Sequence, residues 1–332
     1  MVARPIISFE DVMGISMSSV RRLVFGMFLA LLTLGVACEK ACVKKLPPPE
    51  EKHPEPEKVE KVGKPRISAF DGLNLDDLKN SQRENVINFL NDEICPCGCP
   101  QTFAQCLAKK DSCRPGLLLA QWTVLQIKKS PLPESKIFPH VVQEIAGFLA
   151  KPVGIDTKQA HQKGDRDAPF VIVEFADFEC PACKLAAAEV KKFVEENKDV
   201  QLYFMHYPLL PAHQYAEKAA VAAEAAGRLG KFWEMHDLLF AHNGSLTDDV
   251  INDLAKQIFT AQQMKQFEQS LADPALLQKV NGQRDYGKNA LKLEGTPTFF
   301  FDGRPYNLTS NTQGFALRLA MEKARKDMSC GP

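Results

Sequence analysis

The sequence predicts an α/β fold with a helical insertion, preceded by a small cysteine-rich helical module. Three observations predict it. From residue 170 onward, apolar β-branched runs alternate with amphipathic helical stretches, the signature of a sheet flanked by helices. An alanine-rich helical region separates two halves of that pattern. Upstream, helical periodicity surrounds CPCGCPQTFAQCLAKKDSC, which holds Cys95, Cys97, Cys99, Cys106 and Cys113.

The 332 residues are enough for more than one folded part, and the formal net charge is zero. Balanced charge argues against a nucleic-acid or acidic-substrate binder. Ten cysteines mean disulfides in an oxidising compartment, but zinc or iron–sulfur in a reducing one.

The amino terminus addresses the compartment. Arg21 and Arg22 precede the apolar run LVFGMFLALLTLGVA, which ends in small residues before Cys38. That is the layout of an export signal, shorter than the roughly 20 residues a spanning helix needs. The stretch LGVAC resembles a bacterial lipobox. The resemblance implies cleavage after residue 37, lipid on the Cys38 sulfur and a membrane tether on the periplasmic side. Glu39 supplies no clear inner-membrane retention signal, which favours the outer membrane. Glu10 and Asp11 are out of place in an n-region and point to Met17 as the translation start.

Residues 38–69 form the expected tether. KKLPPPEEKHPEPEKVEKVGKPR is rich in Pro, Glu and Lys, so it buries too little apolar surface to offset ordering entropy.

Residues 70–155 are the expected helical module. SQRE at Ser81–Glu84 reads as a capping box, followed by Val86, Ile87, Leu90 and Ile94 at helical spacing. GLLLAQWTVLQI and FPHVVQEIAGFLA read as two further helices. The polar stretch DTKQAHQKGDRDA marks a boundary before the next part, expected over 165–330.

FVIVEF (170–175) reads as a strand buried on both faces, interrupted by Glu174. The next segment, DFECPACKLAAAEV, carries Cys180 and Cys183 across a strand-to-helix turn, with Pro181 tolerated in the first helical turn. There, free N–H groups and the helix dipole favour the thiolate of Cys180, and Cys183 one turn later can resolve a mixed disulfide. A structural staple would close too short a loop to be useful, and no second CxxC in this part completes a zinc site. VQLYFMHY is the next strand, the helical insertion occupies about 210–290, and TPTFFFDGRPYNL gives two strands about a DGRP turn. A closing helix covers about 312–327.

VEFADFECPAC, YPLLPAHQYAEKAAVAAEAAG, KFWEMHDLLF and GTPTFFFDG, in that order, resemble the DsbA-like branch of the thioredoxin superfamily. The resemblance implies a thioredoxin fold with a helical insertion and a periplasmic thiol:disulfide oxidoreductase. Cys180 would be its exposed nucleophile and Cys183 its buried partner. It also implies that Pro297 is the cis-proline beside the sulfurs, with Thr296 offering its backbone to an extended substrate. Glu174 would be a buried acid exchanging a proton with Cys183. Asp177 reads as a turn or capping residue, and His206 and His213 as structural. Ala182 and Thr296 depart from the strongly oxidising members, leaving oxidase against reductase or isomerase open. Implied partners are thiol-containing extracytoplasmic proteins and a redox-recycling protein, with no organic cofactor.

For the cysteine cluster, structural disulfides are expected, with a redox relay and a metal site as alternatives. Cys113 is the better partner for the CPCGC turn, and a Cys95–Cys97 ring would be badly strained. Counting Cys42 and Cys330, seven cysteines lie outside Cys38 and the CxxC pair, so at least one is left over. Residues 81–106 also resemble a segment of cytochrome c maturation thioreductases, which implies a reductase serving apocytochrome c. A third reading, from another class, is a peptide- or metal-binding module whose CxxC is only structural.

Overall fold

The computed structural model describes residues 66–108, 113–325 and 328. The export signal, Cys38 and most of the tether lie outside the described residues.

Four helices come first: α1 (Asn80–Asp92), α2 (Phe103–Leu107), α3 (Arg114–Lys129) and α4 (Glu134–Leu149). The start of α1 differs from expectation. Its N-cap is Lys79, whose N–H donates to the Gln82 side chain at 3.2 Å, so the box lies two residues ahead of Ser81. Ile94 lies beyond α1, 57 % exposed in an isolated bridge to Thr102.

The remaining elements are β1 (His161–Gly164), β2 (Phe170–Ala176), α5 (Pro181–Glu196) and β3 (Val200–His206), then the insertion helices α6 (Ala216–Arg228), α7 (Phe232–Ala241), α8 (Asp248–Lys256), α9 (Ala261–Leu271) and α10 (Pro274–Asn289), and finally β4 (Thr298–Phe301), β5 (Arg304–Tyr306) and α11 (Thr312–Lys323). The sheet order is β1-β3-β2-β4-β5. The β2–β3 pair is parallel and every other pair antiparallel. β1 falls inside the polar stretch expected to be only a boundary. As an edge strand with one neighbour it needs few apolar residues, which hid it from the pattern.

Alternation along β2 decides what each face meets. Ile172, Glu174 and Ala176 point to one side, and Ile172 packs in a core with Ala186, Val190 and Phe193 of α5. Val173 and Phe175 point to the other side, among Met205, Tyr207 and Phe300.

The first core does not stop at the sheet. It runs without a break into Phe103, Leu119, Val141, Ile145 and Phe148 of the cysteine-rich module. Arg318 of α11 is fully buried there, donating to Glu144 of α4 at 2.5 Å and to Glu322 at 2.9 Å. Arg325 lies 3.8 Å over the Phe148 ring and donates to the Phe148 carbonyl. Close backbone approach explains Gly147, where a Cβ would sit 2.5 Å from the Pro305 carbonyl oxygen.

Candidate active site

The sheet register brings the site together. Phe175 of β2 pairs with Thr298 of β4, so the chain leaving β2 toward Cys180 and the chain entering β4 through Thr296–Pro297 meet at one end of the sheet. The Thr296–Pro297 bond is cis, as the resemblance implied. Tyr207 Oη donates to the Leu293 carbonyl at 2.8 Å and Thr298 Oγ1 to the Gly295 carbonyl at 2.7 Å, fixing the loop before the proline.

Cys180 is the N-cap of α5 and Pro181 its first residue. The Cys180 thiol lies 3.4 Å from the Thr296 carbonyl oxygen. Its pKa is pushed down to about 5, first by a hydrogen bond from the Cys183 thiol and then, against burial, by the Thr296 hydroxyl and the N–H groups of Cys183 and Ala182. The Thr296 hydroxyl has no partner among the other described polar groups and turns to both sulfurs. Cys183 has no exposed surface. Burial, reinforced by donation to Cys180, pushes its thiol far above the ordinary range. The two sulfurs are therefore unlike: one is held as thiolate, the other as thiol. Cys180 itself keeps only 7 % of its surface exposed, less than the open nucleophile expected, because it packs in the core beneath the insertion helices. Pro181 and Ala182 beside it are exposed, as are Leu185 and Leu210, at 76 % and 42 %.

Glu174 is fully buried, and neither carboxylate oxygen has a hydrogen-bond partner among the described residues. Desolvation alone pushes its pKa up to about 8. By strand alternation it faces the side of the sheet that α5 covers, which also carries Cys183.

Asp177 was underrated by its reading as a turn residue. Its Oδ1 accepts from the Glu179 N–H at 2.7 Å, and its Oδ2 from the Leu209 N–H at 2.8 Å and His213 Nδ1 at 2.7 Å. His206 holds Glu224 of α6 at 3.0 Å, and the same oxygen takes His161 of β1 at 3.0 Å. That cluster ties the insertion to the sheet, a structural role.

The cysteine cluster lies apart from this site. Cys95 is bonded to Cys106 and Cys97 to Cys113, and Cys99 is disulfide-bonded as well. The Cys113 pairing matches expectation. Cys106 is reachable because helix begins only at Phe103, so the chain from Cys99 is not one straight helix. The Cys95, Cys106 and Cys113 sulfurs lie within 4.8 Å of one another, a spacing that the two disulfides account for.

Residues 156–317 match a family model described as thioredoxin. Among curated relatives, a probable disulfide bond formation protein D from Bacillus cereus is 28 % identical over 156 residues, 43 % of this chain and 70 % of its own length. Residues 156–317 are therefore thioredoxin-like. The chain is also 33 % identical over 201 residues to the Na(+)/H(+) antiporter NhaA 1 of Salinispora arenicola, which covers 60 % of the chain but 30 % of that protein. It therefore spans about a third of the length of the antiporter relatives it matches. Among the described residues no helix is long and apolar enough to cross a membrane. Solved structures similar to this chain include a thioredoxin-like oxidoreductase from Silicibacter pomeroyi (26 % identity, TM-score 0.45, covering 52 % of this chain and 99 % of that one) and BdbD from Bacillus subtilis (23 %, 0.44, 53 % and 97 %).

Proposed function

We propose that the protein is a thiol–disulfide oxidoreductase that passes the Cys180–Cys183 disulfide to the thiols of extracytoplasmic proteins. The observation that carries this reading is the contrast between the two sulfurs. A substrate thiolate attacks Cys180 Sγ; the Cys180–substrate bond forms as the Cys180–Cys183 bond breaks, and Cys183 leaves with a proton. A second substrate thiolate then attacks the substrate sulfur of the mixed disulfide and expels Cys180 as thiolate. Stabilising that thiolate favours the reduced enzyme and so drives substrate oxidation.

Cys183 is the poor leaving group of the first step, and Glu174 is the acid we assign to protonate it, since its buried carboxyl keeps a proton near neutral pH. Thr296 and cis-Pro297 support docking of an extended substrate segment, because the main chain beside Cys180 can pair with any sequence. The reduced pair then needs a redox partner to accept two electrons. Export and tethering through a lipid on Cys38 rest on the signal-like sequence alone.

The test is the reduction potential of the pair, with a Cys183→Ala variant assayed for trapped mixed disulfides. A potential well above the about −270 mV of thioredoxin supports the oxidase. A lower one assigns the reductase or isomerase reading. A Cys180 of ordinary acidity that traps nothing refutes both and leaves the peptide-binding alternative.

A further inference from the structure

Asp177 touches both cysteines and a separate loop at once. Its carbonyl accepts from the Cys180 N–H at 3.1 Å, and its own N–H points at the Cys183 sulfur. Its side chain has no exposed surface, yet every lone-pair direction in use is directed: Oδ1 back to Glu179, Oδ2 across to Leu209 and His213. An ordinary Asx turn needs only the first contact. The other two tie the cysteine loop to the 209–213 turn, itself closed by donation from the His213 N–H to the Leu209 carbonyl at 3.0 Å. That turn carries exposed Leu210, Pro211 and Ala212.

We propose that Asp177 and His213 form a positioning pair that fixes the two active sulfurs and holds the 209–213 turn as part of the rim around them. The proposal rests on the redox reading of Cys180 and Cys183. The pair makes no contact with substrate; it acts through the backbone it holds. A carboxylate with its oxygens filled by three N–H donors locks the main chain from 177 to 180, and with it the N–H aimed at Cys183 and the cap geometry that stabilises the Cys180 thiolate. His213 supplies the donor that reaches Asp177 from outside the cysteine loop.

The test compares full-chain wild type with Asp177→Ala, His213→Ala and Asp177→Asn. The readouts are the rate of Cys180 alkylation near pH 4, below the midpoint of its thiol, and the dithiol–disulfide equilibrium with glutathione. Loss of a charge-assisted hydrogen bond is worth a factor of about ten, so Asp177→Ala is expected to slow alkylation about tenfold and shift the equilibrium about tenfold toward the protein disulfide. His213→Ala moves both the same way by less, and Asp177→Asn, which keeps an acceptor for the Glu179 N–H, returns most of the loss. A Phe259→Ala variant, a core truncation in the insertion, is the control: it lowers the melting temperature and leaves both readouts alone. Variants at 177 and 213 that lose stability but keep wild-type alkylation and equilibrium overturn the proposal. If Asp177→Ala does not fold, an unchanged His213→Ala overturns it alone. Wild-type alkylation is read first: an unreactive Cys180 there ends the redox reading itself, which separates the two failures.

Discussion

The Cys180 sulfur and the Thr296 carbonyl oxygen lie 3.4 Å apart across 116 residues of sequence. The contact exists because β2 and β4 are antiparallel neighbours, so the redox turn and the cis-proline loop leave the sheet at the same end. A thiol so placed is expected to titrate alone. Alkylation of the reduced protein should follow a single group with a midpoint near pH 5, located at Cys180 by peptide mapping, with Cys183 silent across the range.

The same ionisation links to stability. The native Cys180 thiol deprotonates near 5 and the unfolded one near 9, so between those values the unfolded state binds more protons. Stability of the reduced protein contributed by this group is therefore expected to rise with pH through that window. Urea unfolding of reduced wild type and of a Cys180→Ser variant at pH 4, 6 and 8 checks the sign.

Glu174 works in the opposite direction. Its native carboxyl holds a proton up to about 8, while the unfolded one releases it near 4.5. Stability falls as pH rises through that interval. Glu174→Gln, uncharged and of equal size, is expected to be more stable than wild type at pH 8 and to lose that part of the pH dependence. With its proton donor gone, mixed-disulfide formation should slow by about 10²-fold at pH 7, read by stopped-flow fluorescence.

Arg318 is wholly buried with Glu144 and Glu322 as its partners. Arg318→Met leaves Glu144 in an apolar core without its cation, while Glu322 keeps Arg325, and breaking a buried pair in this way costs about 3–5 kcal/mol. Urea unfolding should show that loss. Glu144→Gln introduced into Arg318→Met should restore part of it, giving a non-additive double-mutant cycle.

The disulfides of the cysteine-rich module close loops of 11 and 16 residues. Replacing Cys97 and Cys113 together by Ala is expected to cost about 2–4 kcal/mol in thermal unfolding while Cys180 keeps its titration. Chelator should leave the melting temperature unchanged, since these sulfurs are bonded to each other.

Much of the site was readable because its chemistry is local in sequence. CPAC after FVIVEF fixes a dithiol at a strand-to-helix junction, and GTP before FFF marks the proline loop. What escaped the sequence is non-local. Nothing in HQKG announces a strand, since β1 draws its order from pairing with β3. Nothing in DFEC shows that Asp177 reaches Leu209 and His213, more than 30 residues on. The near-complete cover over Cys180 likewise comes from packing beneath the insertion. The Ser81 cap failed because α1 starts at Asn80 with Lys79 as its cap, a two-residue ambiguity that polar residues on both sides permit.

Glu144 waits 174 positions for its guanidinium partner. During synthesis the cysteine-rich helices leave the ribosome long before α11, so the part of their hydrophobic side that α11 covers stays open until the last helix arrives. Until then the buried carboxyl on the fourth helix has no cation to meet, and a chain cut short before Arg318 never supplies one.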